Sequence, residues 1–177
     1  VGTFMFYTIK DDDKETTYPA GGDRICNRDF ADFIQTQIVE DIRHTMMPTW
    51  QKRHLMHQSM SETRNPKVPS TIIELLSHHN YYDMTFGLDP KFKFIASRAI
   101  YKGMLRFIHQ TTGTPYVVQP LPVQQMNIQY ANNDSLHIRW AERIDRLEPT
   151  ATPTYYIIYT RTSQLKDGQW QTSDWDN

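Results

Sequence analysis

Glu74 is the residue whose position in the sequence most strongly suggests chemistry. It lies in the segment VPSTIIELLSHHN, residues 68–80, in which five apolar residues precede a polar cluster. The β-branched residues in the middle of the segment predict a buried strand that emerges into a loop. A buried carboxylate is costly without a partner or a function, and functional residues of open α/β sheets collect at the carboxyl ends of strands. Glu74 is therefore the candidate catalytic residue, and the alternative is a structural glutamate that pairs with an arginine or caps a helix.

Polar side chains follow Glu74 directly. His78, His79 and Asn80 end the same segment. Imidazole and amide groups in a cleft can hydrogen-bond to a sugar or a peptide, so these three residues are candidates for substrate binding. Adjacent histidines do not readily chelate one ion, and no metal ligand is predicted among them. The alternative is an ordinary polar loop.

A second pair of histidines lies upstream. His54 and His57 are three residues apart, a separation that can place two metal ligands on one face of a helix. They could also line the substrate cleft, or form a surface or partly buried pair without a ligand. The sequence leaves these alternatives open.

The order of the elements around Glu74 resembles a known enzyme family. Glu74, Ser77 and Asn80 form the pattern E-x-x-S-x-x-N after an apolar run, followed by LDPKF at 88–92 and IASRAIYKGMLRF at 95–107. This arrangement is similar to the C-terminal half of the zinc-dependent N-acetylmuramoyl-L-alanine amidases of the amidase 3 type. The similarity covers roughly residues 68–108. His78 and His79 stand where that family has apolar and small residues.

The resemblance implies a fold, a reaction and a cofactor. The expected fold is α/β, a three-layer α/β/α half domain, and Glu74 is expected to be the catalytic acid and base. The reaction would cleave the amide between N-acetylmuramic acid and L-alanine in peptidoglycan, with water activated by Zn. The G-H-G and S-x-H-x-N segments that carry zinc ligands in that family do not occur here. We therefore expect the ligands to lie outside this chain, in an upstream fragment or a neighbouring copy.

Composition limits the classes of partner. The chain of 177 residues has 19 Lys and Arg against 20 Asp and Glu, a net charge of −1, which gives no reason to expect nucleic acid or an anionic membrane as a partner. No apolar run approaches the length of a membrane span. The single cysteine, Cys26, excludes an internal disulfide. A secreted or periplasmic location in a bacterial envelope is expected from this resemblance and from the β module described below, and not from a targeting signal.

The apolar pattern predicts the elements of a first domain, residues 1–110. Residues 3–9 read as a strand, which would need a neighbour from missing upstream structure. The spacing of Phe30, Phe33, Ile34, Ile38 and Ile42 predicts a helix over 26–46, with Asn27 as its N-cap. A short strand is expected near 55–60. A further helix should begin at Asp89-Pro90 and reach about residue 109. Its expected apolar stripe is Phe94, Ile95, Ala99, Ile100, Met104 and Phe107.

The pattern changes after a proline-rich linker at 111–122. Strands are predicted over 123–130, 135–144 and 155–162, with a turn at 132–134. The stretches S-L-x-I-x-W and Y-x-I-Y resemble the first strands of a fibronectin type III module. A sandwich of that kind needs about seven strands, so residues 123–177 are expected to form an incomplete, immunoglobulin-like β module.

Two other functions remain open from the sequence. The absent zinc ligands and the β module favour a non-enzymatic protein that binds carbohydrate or the cell wall. A secreted polysaccharide-degrading enzyme such as a lyase is a third alternative, because fibronectin-like modules often accompany secreted sugar enzymes. The sequence shows no paired carboxylates or Tyr/His/Arg set that would support a lyase.

Overall fold

A three-stranded sheet organises the first part of the chain around its central strand, β1 (Gly2–Tyr7). β2 (Gln51–His57) pairs with β1 in parallel, and β3 (Ile72–Glu74) pairs with its other edge in antiparallel orientation. The predicted N-terminal strand is therefore confirmed. The expectation that its neighbours come from upstream structure is wrong, because both edges of β1 pair with strands of this chain.

In the computed structural model, residues 1–132 and 135–175 are described. The chain divides into two units, Val1–Val118 and Gln119–Asn177. Helices and strands both occur, which confirms the mixed α/β class in its coarse form, whereas the three-layer arrangement stays a prediction. No helix among the described residues is long and apolar enough to cross a membrane. The helices and strands of the first unit, besides those above, are α1 (Cys26–Thr45), α2 (Ser61–Arg64), α3 (Tyr81–Leu88) and α4 (Pro90–Thr112).

Helix α1 packs against the sheet through an apolar stripe, as the spacing predicts. Ile34, Ile38 and Ile42 are fully buried in a core that also contains Met5 of β1 and Trp50. Burying such a side chain contributes about 1.5–3 kcal/mol. The core continues through Ala31, Val39, Phe92, Ile95, Ala96 and Ala99.

Polar groups at the sheet face are satisfied by side chains of the same core. Trp50 Nε1 donates to Thr3 Oγ1 at 2.9 Å. Gln35 Nε2 of α1 donates to the carbonyl of Thr3 at 2.7 Å and to that of Arg53 at 2.9 Å. Gln35 therefore links α1 to both β1 and β2. It supplies the donor that these backbone carbonyls need when they are buried.

Asn27 does not cap α1, which corrects the sequence-based expectation. Ile25 precedes the helix without a side-chain cap, and Asn27 is fully buried in the first turn. Its Nδ2 donates to the carbonyl of Thr8 at 2.7 Å, and its Oδ1 accepts from Tyr18 Oη at 2.6 Å and Ser70 N at 3.0 Å. The side chain turns away from the helix because three segments outside the helix offer it partners.

Strand β2 contains an irregularity that decides which side chains share a face. Thr3 pairs with Lys52 and Met5 pairs with Leu55, so β2 has one additional residue between these pairs. Lys52 Nζ reaches α1, where it donates to Asp32 Oδ1 at 2.8 Å, and Leu55 packs on the core. The predicted strand near 55–60 exists, but it lies earlier in the chain and is followed by α2.

Helix α4 begins as predicted, with Asp89 as N-cap and Pro90 in the first turn. Asp89 Oδ1 accepts from Lys91 N at 2.8 Å. Gly113 ends the helix in the left-handed region, with φ of 73°. Part of the expected apolar stripe is wrong, because Phe94 and Met104 are exposed whereas Phe92 and Ala96 are buried. The buried face of α4 is rotated toward α1, on which the helix packs.

The contact between α1 and α4 contains a buried ion pair and a close approach of backbone. Lys102 is fully buried, and its Nζ lies 2.8 Å from Asp41 Oδ2. Gln37 Nε2 also donates to Asp41 Oδ1, at 2.8 Å. Removing one partner of such a pair typically costs about 3–5 kcal/mol, because it leaves an uncompensated buried charge.

The described residues of the second unit contain two separate pairs of strands. β4 (Gln124–Asn132) pairs with β5 (Ser135–Ala141), and β6 (Ser163–Lys166) pairs with β7 (Gln169–Thr172), all antiparallel. The predicted strands over 123–130 and 135–144 are close to β4 and β5, and most of the turn predicted between them lies outside the described residues. The predicted strand over 155–162 is wrong, because regular structure begins only at Ser163. The fibronectin-like module stays a prediction.

Gly103 provides a test of the helix packing. A Cβ at Gly103 would lie 2.6 Å from Ile34 Cα and 3.1 Å from Ile34 N, so Gly103→Ala is expected to lower the free energy of unfolding by about 1–3 kcal/mol. The helix preference of alanine over glycine, about 1 kcal/mol, opposes this loss only partly. Urea unfolding measures the difference. Ser97→Ala, at an exposed position of α4, is the control and should change stability by less than about 0.5 kcal/mol. Unchanged or increased stability of Gly103→Ala would contradict the close packing of the helices.

Candidate functional site

A cleft of about 290 Å³ lies where β1, β2 and β3 meet the start of α3. Its lining includes three of the residues singled out from the sequence, Glu74, His79 and Asn80, together with Phe4 and Arg53. The cleft combines a carboxylate, an imidazole, an amide and a guanidinium around an aromatic ring. This set can bind a polar ligand and supports proton transfer by the carboxylate.

Glu74 is the last residue of β3, opposite Phe4 in the register. The prediction of a buried strand is wrong here, because β3 is a three-residue edge strand with half-buried isoleucines and Glu74 is exposed. β3 also runs antiparallel to β1, so its carboxyl end lies at the amino end of the parallel pair β1 and β2. Among the described residues, the Glu74 carboxylate has no hydrogen-bond or ion-pair partner. It is therefore available to a ligand in the cleft.

Asn80 has a structural role that the sequence reading missed. It is the N-cap of α3, and its Oδ1 accepts from Tyr82 N at 2.9 Å and from Asp83 N at 3.2 Å. Asparagine is a preferred N-cap residue, and its presence at position 80 could have predicted the start of α3. The side chain still borders the cleft, but its carbonyl oxygen is already occupied.

Asp83 holds the turn between β3 and α3. It is buried, and its Oδ2 accepts from Ser77 N at 2.8 Å, while its Oδ1 lies 3.7 Å from the nitrogen of Val1. Asn80 N donates to the carbonyl of Ser77 at 3.0 Å, which closes the turn. Two residues of the E-x-x-S-x-x-N pattern, Ser77 and Asn80, therefore shape the backbone that follows Glu74.

The four histidines considered from the sequence do not form one cluster. His78 and His79 are exposed with ring centroids 3.8 Å apart, and only His79 lines the cleft. His54 and His57 lie on a strand rather than a helix, so their spacing does not place them on one helical face. His57 stacks on Tyr7 at 5.5 Å between ring centroids, and His54 lines a neighbouring depression.

Arg53 is a charged cleft residue that no sequence-based prediction included. Its guanidinium carbon lies 4.8 Å from the centroid of the Phe4 ring. The irregularity in β2 gives the Arg53 side chain different surroundings from those of its neighbour Lys52, whose side chain contacts α1. No sequence motif marks Arg53, because the irregularity in β2 depends on pairing with β1.

Cys26 does not supply a nucleophile to this site. It lies at the start of α1 and is not among the residues that line the cleft. Burial, together with the neighbouring carboxylates of Asp29 and Asp23, raises the pKa of its thiol above the ordinary value. The thiol is therefore protonated at neutral pH, whereas the thiolate is the reactive form.

Comparisons with known proteins add no family assignment. No protein-family model, curated protein or solved structure matches the chain. The function of the cleft must therefore be inferred from its residues and from the sequence resemblance.

Asn80→Ala tests the capping role. We expect it to destabilise the first unit by about 1 kcal/mol, because Tyr82 N and Asp83 N lose their acceptor. Asn80→Ser restores an acceptor and should recover most of this loss. Thermal unfolding of both variants measures the effect. Equal stability of Asn80→Ala and the unmodified chain would show that the cap is energetically unimportant.

Proposed function

We propose that this chain forms part of a hydrolase that cleaves the amide between N-acetylmuramic acid and L-alanine in peptidoglycan, with Glu74 as general acid and base. The observation that supports this function is the unpartnered, exposed carboxylate of Glu74 in a polar cleft. The resemblance assigns the same residue the same role. The substrate lies in the bacterial cell envelope, so a secreted or periplasmic location is part of the proposal.

The proposed reaction requires one proton to move twice. Glu74 accepts a proton from water as the water oxygen bonds to the amide carbonyl carbon. It then gives that proton to the amide nitrogen as the C–N bond breaks, which yields a carboxylic acid and an amine. The exposed Glu74 side chain is free to turn between the two atoms, because no described residue binds its carboxylate.

Zinc is part of the proposal only because the amidase family that the sequence resembles depends on it. The residues present do not form a complete site, because no group of three or more His, Cys, Asp or Glu side chains in residues 1–132 and 135–175 could hold a metal ion. The ligands of the proposed enzyme would therefore lie outside this chain, in an upstream fragment or a neighbouring copy. Bound zinc would activate the water and polarise the carbonyl.

Glu74→Gln tests the catalytic role in the intact protein. We expect kcat on muropeptides to fall by about 10²–10⁴-fold, since glutamine cannot accept the proton. The unfolding temperature should not change, because the Glu74 carboxylate has no partner in residues 1–132 and 135–175 that glutamine would lose. Release of L-alanyl peptides measures the rate, and Glu40→Gln, at an exposed position of α1, is the matched control. Near-full activity of Glu74→Gln would remove Glu74 from the mechanism.

A second candidate function is binding of cell-wall glycan without hydrolysis. The observation that favours it is the exposure of large aromatic side chains in the second unit, where Tyr155 is 74% exposed and Trp170 71% exposed. Aromatic faces pack against apolar faces of ligands at modest cost in conformational freedom. No feature of the described residues favours the lyase alternative.

Cosedimentation with purified peptidoglycan in the presence of a zinc chelator tests this second function. The double substitution Tyr155→Ala and Trp170→Ala is expected to weaken binding by about tenfold, because each lost aromatic contact is worth about 0.5–1.5 kcal/mol. Phenylalanine at both positions keeps the rings and serves as the control. Equal binding by the alanine variant would exclude these side chains as the glycan surface.

A further inference from the structure

Arg53 presents a charge to the cleft that the fold does not neutralise. Among the described residues, its guanidinium makes no ion pair, and its central carbon lies over the Phe4 ring, 4.8 Å from the ring centroid. The next residue along the strand, Lys52, behaves differently, since its Nζ lies 2.8 Å from Asp32 Oδ1 and 2.7 Å from Thr36 Oγ1. Adjacent cations on β2 therefore have different surroundings, one bound to α1 and one facing open space.

The donors of Arg53 are free for an anion. A guanidinium carries its N–H groups in a planar fork, and none of those of Arg53 donates a hydrogen bond to a described residue. That fork matches the two oxygens of a carboxylate, which can accept two parallel hydrogen bonds. Phe4 also restricts the motion of the long side chain, so less freedom is lost when an anion binds.

Arg53 lines the same cleft as Glu74, the proposed acid and base. Phe4 and Arg53 line both the cleft that contains Glu74 and an adjoining depression of about 370 Å³ that reaches Gln51 and His54. A ligand anchored at Arg53 can therefore extend in both directions. The other carboxylate in the wall, Asp83, already accepts from Ser77 N and is buried.

We propose that Arg53 binds a carboxylate of the substrate and selects acidic peptides, in which a carboxylate lies within a residue or so of the amide that is cut. Glu74 repels the same carboxylate, so the two side chains orient the ligand, with its acid group at Arg53 and its amide at Glu74. This inference rests on the proposed function for the identity of the amide. The preference for acidic peptides can be measured without turnover.

Binding of two matched peptides to the full chain tests the inference. N-acetyl-Ala-Glu-amide carries one carboxylate, and N-acetyl-Ala-Gln-amide differs only in lacking it. By NMR titration, the unmodified chain is expected to bind the glutamate peptide about tenfold more tightly, since the glutamine peptide lacks the carboxylate that accepts charge-assisted hydrogen bonds from Arg53. In Arg53→Gln the ratio should fall to about one. Arg53→Lys keeps the charge without the fork and should retain part of the preference.

The control is Arg28→Gln, which removes an exposed arginine on α1 and should leave the tenfold preference unchanged. Thermal unfolding of Arg53→Gln shows whether the fold is retained. An equal affinity of the unmodified chain for both peptides, no binding of either peptide, or an unchanged preference in Arg53→Gln would each overturn the proposal.

The same titration separates this inference from the proposed function. Glu74→Gln should keep the preference for the glutamate peptide, because it leaves Arg53 and Phe4 in place. A preference that depends on Arg53, together with no amidase activity in the intact protein that supplies the zinc ligands, would support the binding role and refute the hydrolase. Amidase activity without that preference would support the hydrolase and refute the role of Arg53.

Discussion

The site depends most on the hydrogen bonds of one buried side chain, that of Asn27. One amide at the start of α1 bonds to the end of β1 through Thr8, to the preceding loop through Tyr18, and to the segment before β3 through Ser70. These are groups that burial would otherwise leave unpaired, at a cost of about 1–3 kcal/mol each. Asn27 therefore fixes where the chain enters β3. The position of Glu74, four residues beyond Ser70, follows from that entry point.

The backbone beyond Glu74 is fixed by a second set of polar contacts. Asp83 binds Ser77 N, and Asn80 binds the first amides of α3, so turn and helix start support each other. Asn80, one residue of the pattern that resembles a catalytic motif, thus has a structural explanation in its side-chain cap, whereas Ser77 contributes its backbone N–H and carbonyl to the turn. The Glu74 carboxylate has no partner among the described residues, which is why Glu74 remains the candidate for chemistry.

The side chains on the two faces of β2 have different surroundings. On one face, Lys52 contacts α1 and Leu55 packs on the core. The buried pair of Asp41 and Lys102 lies between α1 and α4 on the same side. On the other, Arg53 lies over Phe4 beside Glu74. Opposite charges in one cleft that do not pair with each other are suited to orient a ligand that carries both an acid and an amide. The additional residue in β2 makes this division possible, because strict alternation would place Lys52 and Leu55 on opposite faces.

The sequence by itself determined the elements with strong local signals. The spacing of isoleucines predicts α1, Asp89-Pro90 predicts the start of α4, and the aromatic run at 3–9 predicts β1, since periodicity and capping depend on neighbours in the chain. It also brought Glu74, His79 and Asn80 to attention, and these residues share the cleft. Only the tertiary structure decided that β3 is an exposed edge strand, that Asn27 bonds outward, and that Arg53 joins the site. Each of these depends on which distant segment supplies a partner, and a one-dimensional pattern carries no such information.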